Sequence, residues 1–410
     1  MNSIRSVDKP NNDASHAPHA AALPTFADAA SAVAALRPDV PLQCFRPHVV
    51  AAHAVQLQES FGGRLLYALK ANPHPVVVEA LWNSGIHDFD VASIGEIRKL
   101  RSQFPSARLY FMNPVKSRQA IRSAYRDFVV RTFSADSETE LDKILFETGS
   151  PGDLNLMIRI AVPNRGAMWK LSNKFGATRG EAVELLRRAR RVCKQTGLAF
   201  HVGSLCLEPA AYGEAIDIAA GISAEAGVRL DVIDIGGGLP AAYEGVTAPP
   251  LASYMHAIES SCARLPFAAD VEKWCEAGRV LSAPGASLVV RVLARRDQRL
   301  YINDGIFGSL GAPGPPPPRF GLPCRVISGQ PRSAALTAFT VFGPTCDGMD
   351  HLAAPISLPS DIAEGDWIEI GQHGAYGAAL RSDFNGFAEH QSVVVSDGPI
   401  LPTPEHDVGN

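Results

Sequence analysis

Between residues 47 and 278 the chain repeats one rhythm of hydrophobic and polar positions. Short apolar, β-branched or aromatic runs predict strands at 65–69, 87–91, 108–112, 127–133, 154–160, 198–202, 230–235 and 271–275. Longer segments between them carry apolar residues at three- and four-residue spacing. They predict helices near 75–83, 94–101, 117–125, 137–147, 180–197, 209–226 and 251–265, with one more at 49–59 in front. The clearest is 180–197, where Ala182, Val183, Leu185, Leu186, Ala189 and Val192 share one face and Arg and Lys the other.

Eight consecutive helix–strand units with parallel crossovers are what a closed (β/α)8 barrel requires. An open doubly wound sheet normally places a Gly-rich loop after its first strand, where this chain has Lys70-Ala71-Asn72-Pro73. Beyond residue 278 strand-like runs at 287–293, 299–302, 335–341, 367–370 and 391–395 follow with few helical gaps. The fold class expected is therefore α/β: a TIM-like barrel plus a C-terminal, mostly antiparallel β domain. The expected organisation is a flexible tail at 1–23, then a strand/helix segment at 24–46 that packs with the β domain. The barrel follows at 47–282 and the β domain at 283–410. The run APGPPPP at 312–318 reads as an exposed, stiff loop.

Composition narrows the function classes. The chain has 410 residues, 46% hydrophobic and 20% charged, which excludes a disordered chain, a collagen and a disulfide miniprotein. Its net charge of −4 gives no basic excess for nucleic acid. The longest apolar stretch, 280–294, is broken by Pro284, Gly285 and Arg291, so no membrane span is expected. Seven scattered cysteines (Cys44, Cys193, Cys206, Cys262, Cys275, Cys324 and Cys346) show no CxxC spacing, and the N-terminal tail has no apolar signal-peptide core. A cytoplasmic protein with reduced thiols is the expectation.

Candidate chemistry collects where barrel strands end, the place where barrels of this type do their work. Lys70, Asp90, Asn113, Arg159, His201, the triplet Gly236-Gly237-Gly238 and Glu276 each lie near the end of a predicted strand, on seven strands of eight. A lysine at a barrel mouth is either a solvated surface residue or a Schiff-base lysine, desolvated enough for its amine to be neutral. The glycines are either a tight turn or a place where backbone amides approach a phosphate. His201 either hydrogen-bonds structurally or stacks on a flat ring, with Ser204 as a phosphate donor. Glu276 is either salt-bridged or holds a proton on a heteroaromatic nitrogen, turning a ring into an electron sink. His201 has no HxH or HxxxH partner, so no metal is expected, and no Gly-x-Ser-x-Gly elbow speaks for a serine hydrolase. In the β domain Cys346 and Asp347 share a Gly/Pro-bounded turn. Asp304 and Asp347 suit an ammonium-bearing substrate, and Tyr376 sits among small residues.

Taken together these segments resemble the fold III pyridoxal-phosphate (PLP) decarboxylases of the alanine-racemase-like fold, in the ornithine/lysine decarboxylase branch. The motifs run in family order from about residue 41 to 387. They are Tyr67-Ala68-Leu69-Lys70-Ala71-Asn72, His201-Val202-Gly203-Ser204, Asp234-Ile235-Gly236-Gly237-Gly238, Glu276-Ala277-Gly278-Arg279, Asn303-Asp304-Gly305, Gly343-Pro344-Thr345-Cys346-Asp347-Gly348, Gly374-Ala375-Tyr376 and Phe384-Asn385-Gly386-Phe387. The resemblance implies that Lys70 holds PLP covalently, that His201 stacks on its ring and that Glu276 pairs with the ring nitrogen. It implies support from Asp90 and Arg159, and a phosphate site of Ser204, Gly237, Gly238, Gly278, Arg279 and Tyr376. Cys346 would return a proton after CO2 leaves, and Tyr301, Asp304 and Asp347 would bind the substrate, the two carboxylates at its distal amine. It further implies a homodimer in which Cys346 and Asp347 serve the partner's site, acting on an ornithine-like or lysine-like diamino acid in polyamine biosynthesis. Ala277 stands where the family has proline, Leu205 where it has a small or polar residue, and the Pro-rich run after Gly311 is unusual. The alternatives are a diaminopimelate decarboxylase, an alanine racemase, a non-catalytic regulatory homologue and a phosphate-binding barrel without PLP. Asp347 after Cys346 speaks against the first of these, and the retained Lys70, His201, Glu276 and Cys346 against the third.

Overall fold

The computed structural model of the chain describes residues 23–401 apart from 151, 172, 267 and 312–320. The expected tail, except Leu23, and the Pro-rich run at 312–318 lie outside the described residues. Eight strands close a parallel barrel: β1 (Arg64–Ala68), β2 (Asp88–Val91), β3 (Arg108–Phe111), β4 (Thr132–Ala135), β5 (Asn155–Arg159), β6 (Gln195–Ala199), β7 (Val232–Asp234) and β8 (Glu272–Ala277). Each pairs with the next, and β8 returns to β1 through Cys275↔Leu65 and Glu276↔Leu66. Helices fill the crossovers. Those starting at Ile94, Arg118 and Glu138 are capped by Ser93, Ser117 and Ser137, whose hydroxyls accept an orphan amide of the first turn.

Alternation along the strands sorts the core into two shells. Outward-facing side chains such as Leu65, Phe89, Phe111, Phe133, Leu156 and Ile233 pack against the helices. Leu66, Tyr110, Met112, Met157, Ala199, Val232 and Trp274 fill the inside of the barrel. Tyr110 meets Trp274 edge-on with ring centroids 5.0 Å apart, so the interior is packed rather than open. Under this plug Asp88 accepts bonds from Arg108 (2.7 and 2.5 Å), Tyr110 (2.7 Å) and Arg64 (3.3 Å).

Three boundaries differ from expectation. The apolar run 127–133 is not a strand throughout: Asp127 caps the preceding helix and Val129 takes φ +58, so β4 begins only at Thr132. The helix expected to 197 ends at Val192, because residues from Gln195 pair with both β5 and β7. Phe200 to Val202 leave the ladder and lead into the site.

A second sheet is built on the long strand Ala286–Arg296, antiparallel to Leu42–Phe45, Trp367–Ile370 and Arg299–Ile302. Gln391–Val395 runs parallel to Leu42–Phe45 and to Thr25–Phe26, which joins segments from before and after the barrel into this sheet. Arg46 follows Leu42–Phe45 and is 1% exposed; it reaches Glu369 (3.0 Å), Asp397 (2.8 Å) and Ser287 (2.9 Å). It stands where the sheet hands the chain to the helix Pro47–Ser60 that opens the barrel.

Candidate active site

The C-terminal ends of the barrel strands surround a cavity of about 980 Å3. Lys70, Asp90, Asn113, Arg159, His201, Gly237, Gly238 and Glu276 all line it, joined by Ser204, Gly278, Arg279 and Tyr376. The one strand without a sequence candidate, β4, is followed by Asp136, whose carboxylate accepts from the Gly176 amide (3.0 Å) and so holds the loop bearing Phe175 at the cavity mouth.

Lys70 follows β1 on a short 3-10 turn, Leu69–Ala71. The turn is fixed from both sides: Tyr67 Oη donates to Asn72 O (3.1 Å), Asn72 Nδ2 to Gly374 O (2.8 Å), and Tyr376 N to Ala71 O (2.8 Å). The Lys70 side chain is 42% exposed, towards the cavity, and its Nζ is bonded to Asp90 Oδ2. Burial alone lowers the pKa of such an amine, but the charges of Asp90, Glu276 and Tyr376 outweigh it and raise it above the ordinary lysine range. Asp90 and Glu276 thus bias the Lys70 amine towards its charged form.

Glu276 is 5% exposed on the cavity floor, and its Oε1 has no hydrogen-bond partner. Burial, then the nearby Asp90 and Asp234, raise its pKa well above the ordinary carboxylate range. His201 Nδ1 accepts from Gly203 N (3.0 Å), while burial and then Arg159 and Lys70 push its pKa down. Its ring is therefore neutral and presents an uncharged plane to the cavity.

The third cluster is built for an anion. Arg279 donates to Tyr243 Oη (2.8 Å) and Ser204 Oγ (3.2 Å), leaves its buried Nε unpartnered, and lies over the rings of Trp169 (5.0 Å) and Tyr376 (4.8 Å). Beside it, a Cβ at Gly237 would meet Glu276 O at 2.7 Å, and one at Gly238 (φ +106) would meet Gly203 O at 2.4 Å. Only glycine fits either position, and bare backbone amides are what a phosphate needs at close range. An amine, a neutral aromatic plane, an unpaired buried carboxyl and a phosphate cradle around one cavity fit the groups of PLP.

Other expected residues are not brought to this cavity. Asp304 is 3% exposed; its Oδ1 accepts from Gly305 N (2.8 Å) and Ser309 N (2.9 Å) and its Oδ2 from Arg381 (3.2 Å). Its charge is spent on Arg381, so the expectation that it binds a substrate amine is corrected: it ties the Asn303–Leu310 segment to the one that follows Tyr376. Tyr301 stacks on Phe342 (5.3 Å) and is likewise not among the cavity-lining residues. Cys346 is exposed, with its Sγ 3.4 Å from Asn385 Oδ1, and Asp347 accepts from Met349 N (2.8 Å). Neither lines the cavity of its own chain. Their turn is organised by buried Asp350, which accepts from Thr345 N (3.0 Å), Thr345 Oγ1 (2.7 Å) and Ile306 N (2.9 Å). Asp350 and Asp234 are the acids that sequence reasoning passed over. Asp234 stands inside a quoted motif and Asp350 two residues beyond one, but an acid in a Gly-rich turn reads as a turn residue.

Residues 48–283 match the family described as pyridoxal-dependent decarboxylase, pyridoxal binding domain, and residues 232–374 match the C-terminal sheet domain of the same enzymes. The chain is 34% identical over 344 residues to the lysine/ornithine decarboxylase of Selenomonas ruminantium, covering 82% of this chain and 84% of that one. It is 30% identical to the ornithine decarboxylase of Panagrellus redivivus, covering 91% and 90%. The crystal structure of the Paramecium bursaria Chlorella virus arginine decarboxylase superimposes with a TM-score of 0.79 at 26% identity, covering 89% of this chain and 98% of that one. With a (β/α)8 barrel whose strand ends carry the groups that PLP requires, the chain belongs to the pyridoxal-dependent decarboxylases of fold III.

Proposed function

We propose that this decarboxylase removes the α-carboxylate of a basic L-diamino acid, ornithine or its longer homologue lysine, giving a diamine and CO2. The observation that carries the proposal is the convergence of Lys70, His201, Glu276 and Arg279 on one cavity. PLP, when bound, supplies an electron-withdrawing ring that accepts the electron pair left behind as CO2 departs. In the roles proposed here, Lys70 Nζ gives its proton to Asp90 and becomes the nucleophile that holds the coenzyme. Arg279, Ser204, Gly237, Gly238, Gly278 and Tyr376 bind the phosphate, the His201 plane covers the ring, and Glu276 keeps a proton at its nitrogen. Arg159 balances the charge of the buried carboxyls.

Cys346 and Asp347 are proposed to enter the cavity of a second copy, making the enzyme a homodimer with shared sites. The exposure of Cys346, beside exposed Met349, Phe384 and Phe387 and half-buried Asp347, supports that reading. Cys346 Sγ then donates the proton that replaces CO2, and Asp347 pairs with the distal ammonium. With Asp304 neutralised by Arg381, the distal end is left to Asp347. Among the described residues no helix is long and apolar enough to cross a membrane; a cytoplasmic enzyme of polyamine biosynthesis is the setting proposed. The test is incubation of PLP-loaded protein with L-ornithine, L-lysine, L-arginine and meso-diaminopimelate, following CO2 and the amine. Putrescine or cadaverine is the expected product. Lysine from diaminopimelate alone, or no turnover by a protein that binds PLP stoichiometrically, overturns the reading.

A further inference from the structure

Asp234 closes β7 directly beneath the Gly-rich turn and is entirely buried. Its Oδ1 accepts from Gly236 N (2.8 Å); its Oδ2 has no donor. The neighbouring strand β8 places Glu276 beside it, with Glu276 N donating to Gly236 O (2.9 Å), and each carboxyl keeps one buried oxygen, Asp234 Oδ2 and Glu276 Oε1, without a hydrogen-bond partner. Two buried carboxyls on adjacent strands, each with an unpartnered oxygen, repel when both are ionised, and one proton held by the pair removes that repulsion. Both groups are buried, and their charges act on each other, so the pair behaves as one acid, like other buried carboxyl dyads.

The surroundings show what that acid is for. The groups facing the pair are Asp90 on β2, Arg159 on β5, Cys275 on β8 and Lys70 after β1. With one proton on the pair, two cations (Lys70 and Arg159) stand against two anions (Asp90 and the pair). A heteroaromatic nitrogen brought to Glu276 can then take that proton. The pair becomes doubly ionised, the nitrogen becomes a cation, and the cavity floor stays neutral. Of the two acids only Glu276 lines the cavity. Asp234 acts through it.

We infer that Asp234 is a positioning residue: the second half of an acid pair that keeps Glu276 oriented and basic enough to hold a proton on the ring nitrogen of the bound coenzyme. The inference rests on the PLP reading above. In linkage terms the pair's raised pKa values mean that the folded apo-protein binds a proton the unfolded chain has released, so its stability falls as pH rises above the ordinary carboxylate range.

The experiment compares wild type with Asp234→Asn, an isosteric change that keeps an oxygen for Gly236 N. Equilibrium dialysis measures the Kd of each for PLP and for 1-deazapyridoxal phosphate, whose ring has carbon in place of nitrogen. The variant should weaken PLP about tenfold, the worth of one pKa unit, and the deaza analogue less than about twofold. Equal weakening of both ligands, or no weakening of either, overturns the inference. A second arm follows apo-protein melting from pH 4.5 to 7.5, where Asp234→Asn should flatten the decline seen in wild type; parallel curves overturn it. In a third arm, Asp234→Asn placed on Glu276→Gln should add no further loss of the PLP-over-deaza preference, and an additive loss overturns it. Wild-type protein that binds no PLP sinks the functional reading instead, while the apo-protein arm still tests the acid pair.

Discussion

At the scale of single residues the site is a set of charges that would be unfavourable apart and are tolerable together. Lys70 and Asp90 illustrate it. Asp90 is 3% exposed, and an isolated carboxylate there would be costly; the ammonium above it supplies the counter-charge. The same pairing suppresses nucleophilicity until the proton can move. Asp90→Asn should therefore release Lys70 from its raised pKa, making the apo-protein amine more reactive at neutral pH towards reductive methylation, read by peptide mass. Turnover should fall by about 10²-fold, because proton acceptance at Asp90 is lost. A variant whose Lys70 labels no faster than wild type would show that Asp90 does not set the amine's charge. The residue scale was the most legible in the sequence wherever a polar side chain ended an apolar run, as Lys70, His201 and Glu276 do. It was least legible for Asp304, because nothing local announces that Arg381, far along the chain, neutralises it.

At the scale of elements the barrel is specified twice, by its apolar alternation and by the ionic layer beneath it. Asp88 at the start of β2 binds Arg64 of β1 and Arg108 and Tyr110 of β3, so one carboxylate fixes the relative placement of three strands. Burial pushes its pKa up, but the bonds from Arg108 and Tyr110 outweigh this and the net direction is down from 3.8. A depressed carboxylate contributes stability above the unfolded pKa and loses it as pH falls through the folded one. Asp88→Asn should therefore cost about 2 kcal/mol at pH 7, and the difference in Tm from wild type should close below pH 3.8, as thermal melts across that range would show. A constant difference down to pH 2 would contradict it. Strand rhythm gave the barrel away because its outer shell is apolar on every strand. The misplaced β4 has the converse cause: Phe128 and Val130 pack on helices, and a β-branched run cannot be told from a strand until its partners are known. The short strands Leu42–Phe45, Cys324–Ile327 and Ile356–Pro359 were not legible individually, since each directly follows a proline (Pro41, Pro323, Pro355), which reads as a turn.

At the scale of the whole molecule, the sheet reaches the barrel through Arg46 and through Asn72, and the two halves of the proposed chemistry lie on different surfaces. Arg46 carries a charge into a fully buried site against Glu369, which also pairs with Arg325 and accepts from Ser287, so Arg46→Met should destabilise the protein by about 1–3 kcal/mol by removing one of that carboxylate's two cationic partners. A denaturant midpoint near wild type would show the pair to be dispensable. The separation of Cys346 from the cavity has a sharper consequence. If a site needs Lys70 from one copy and Cys346 from the other, Lys70→Ala and Cys346→Ala proteins are each defective in forming the diamine but complementary. Mixed in equal amounts and allowed to exchange, half of the dimers are hybrids, and each hybrid restores one of its two sites. The mixture should recover about a quarter of wild-type turnover, measured as diamine formation after co-incubation. Covalent cross-linking of each parent dimer before mixing should abolish the recovery. A mixture no more active than its parents would place both residues' work within a single chain, and the exposed Cys346 turn would then have to close over its own barrel.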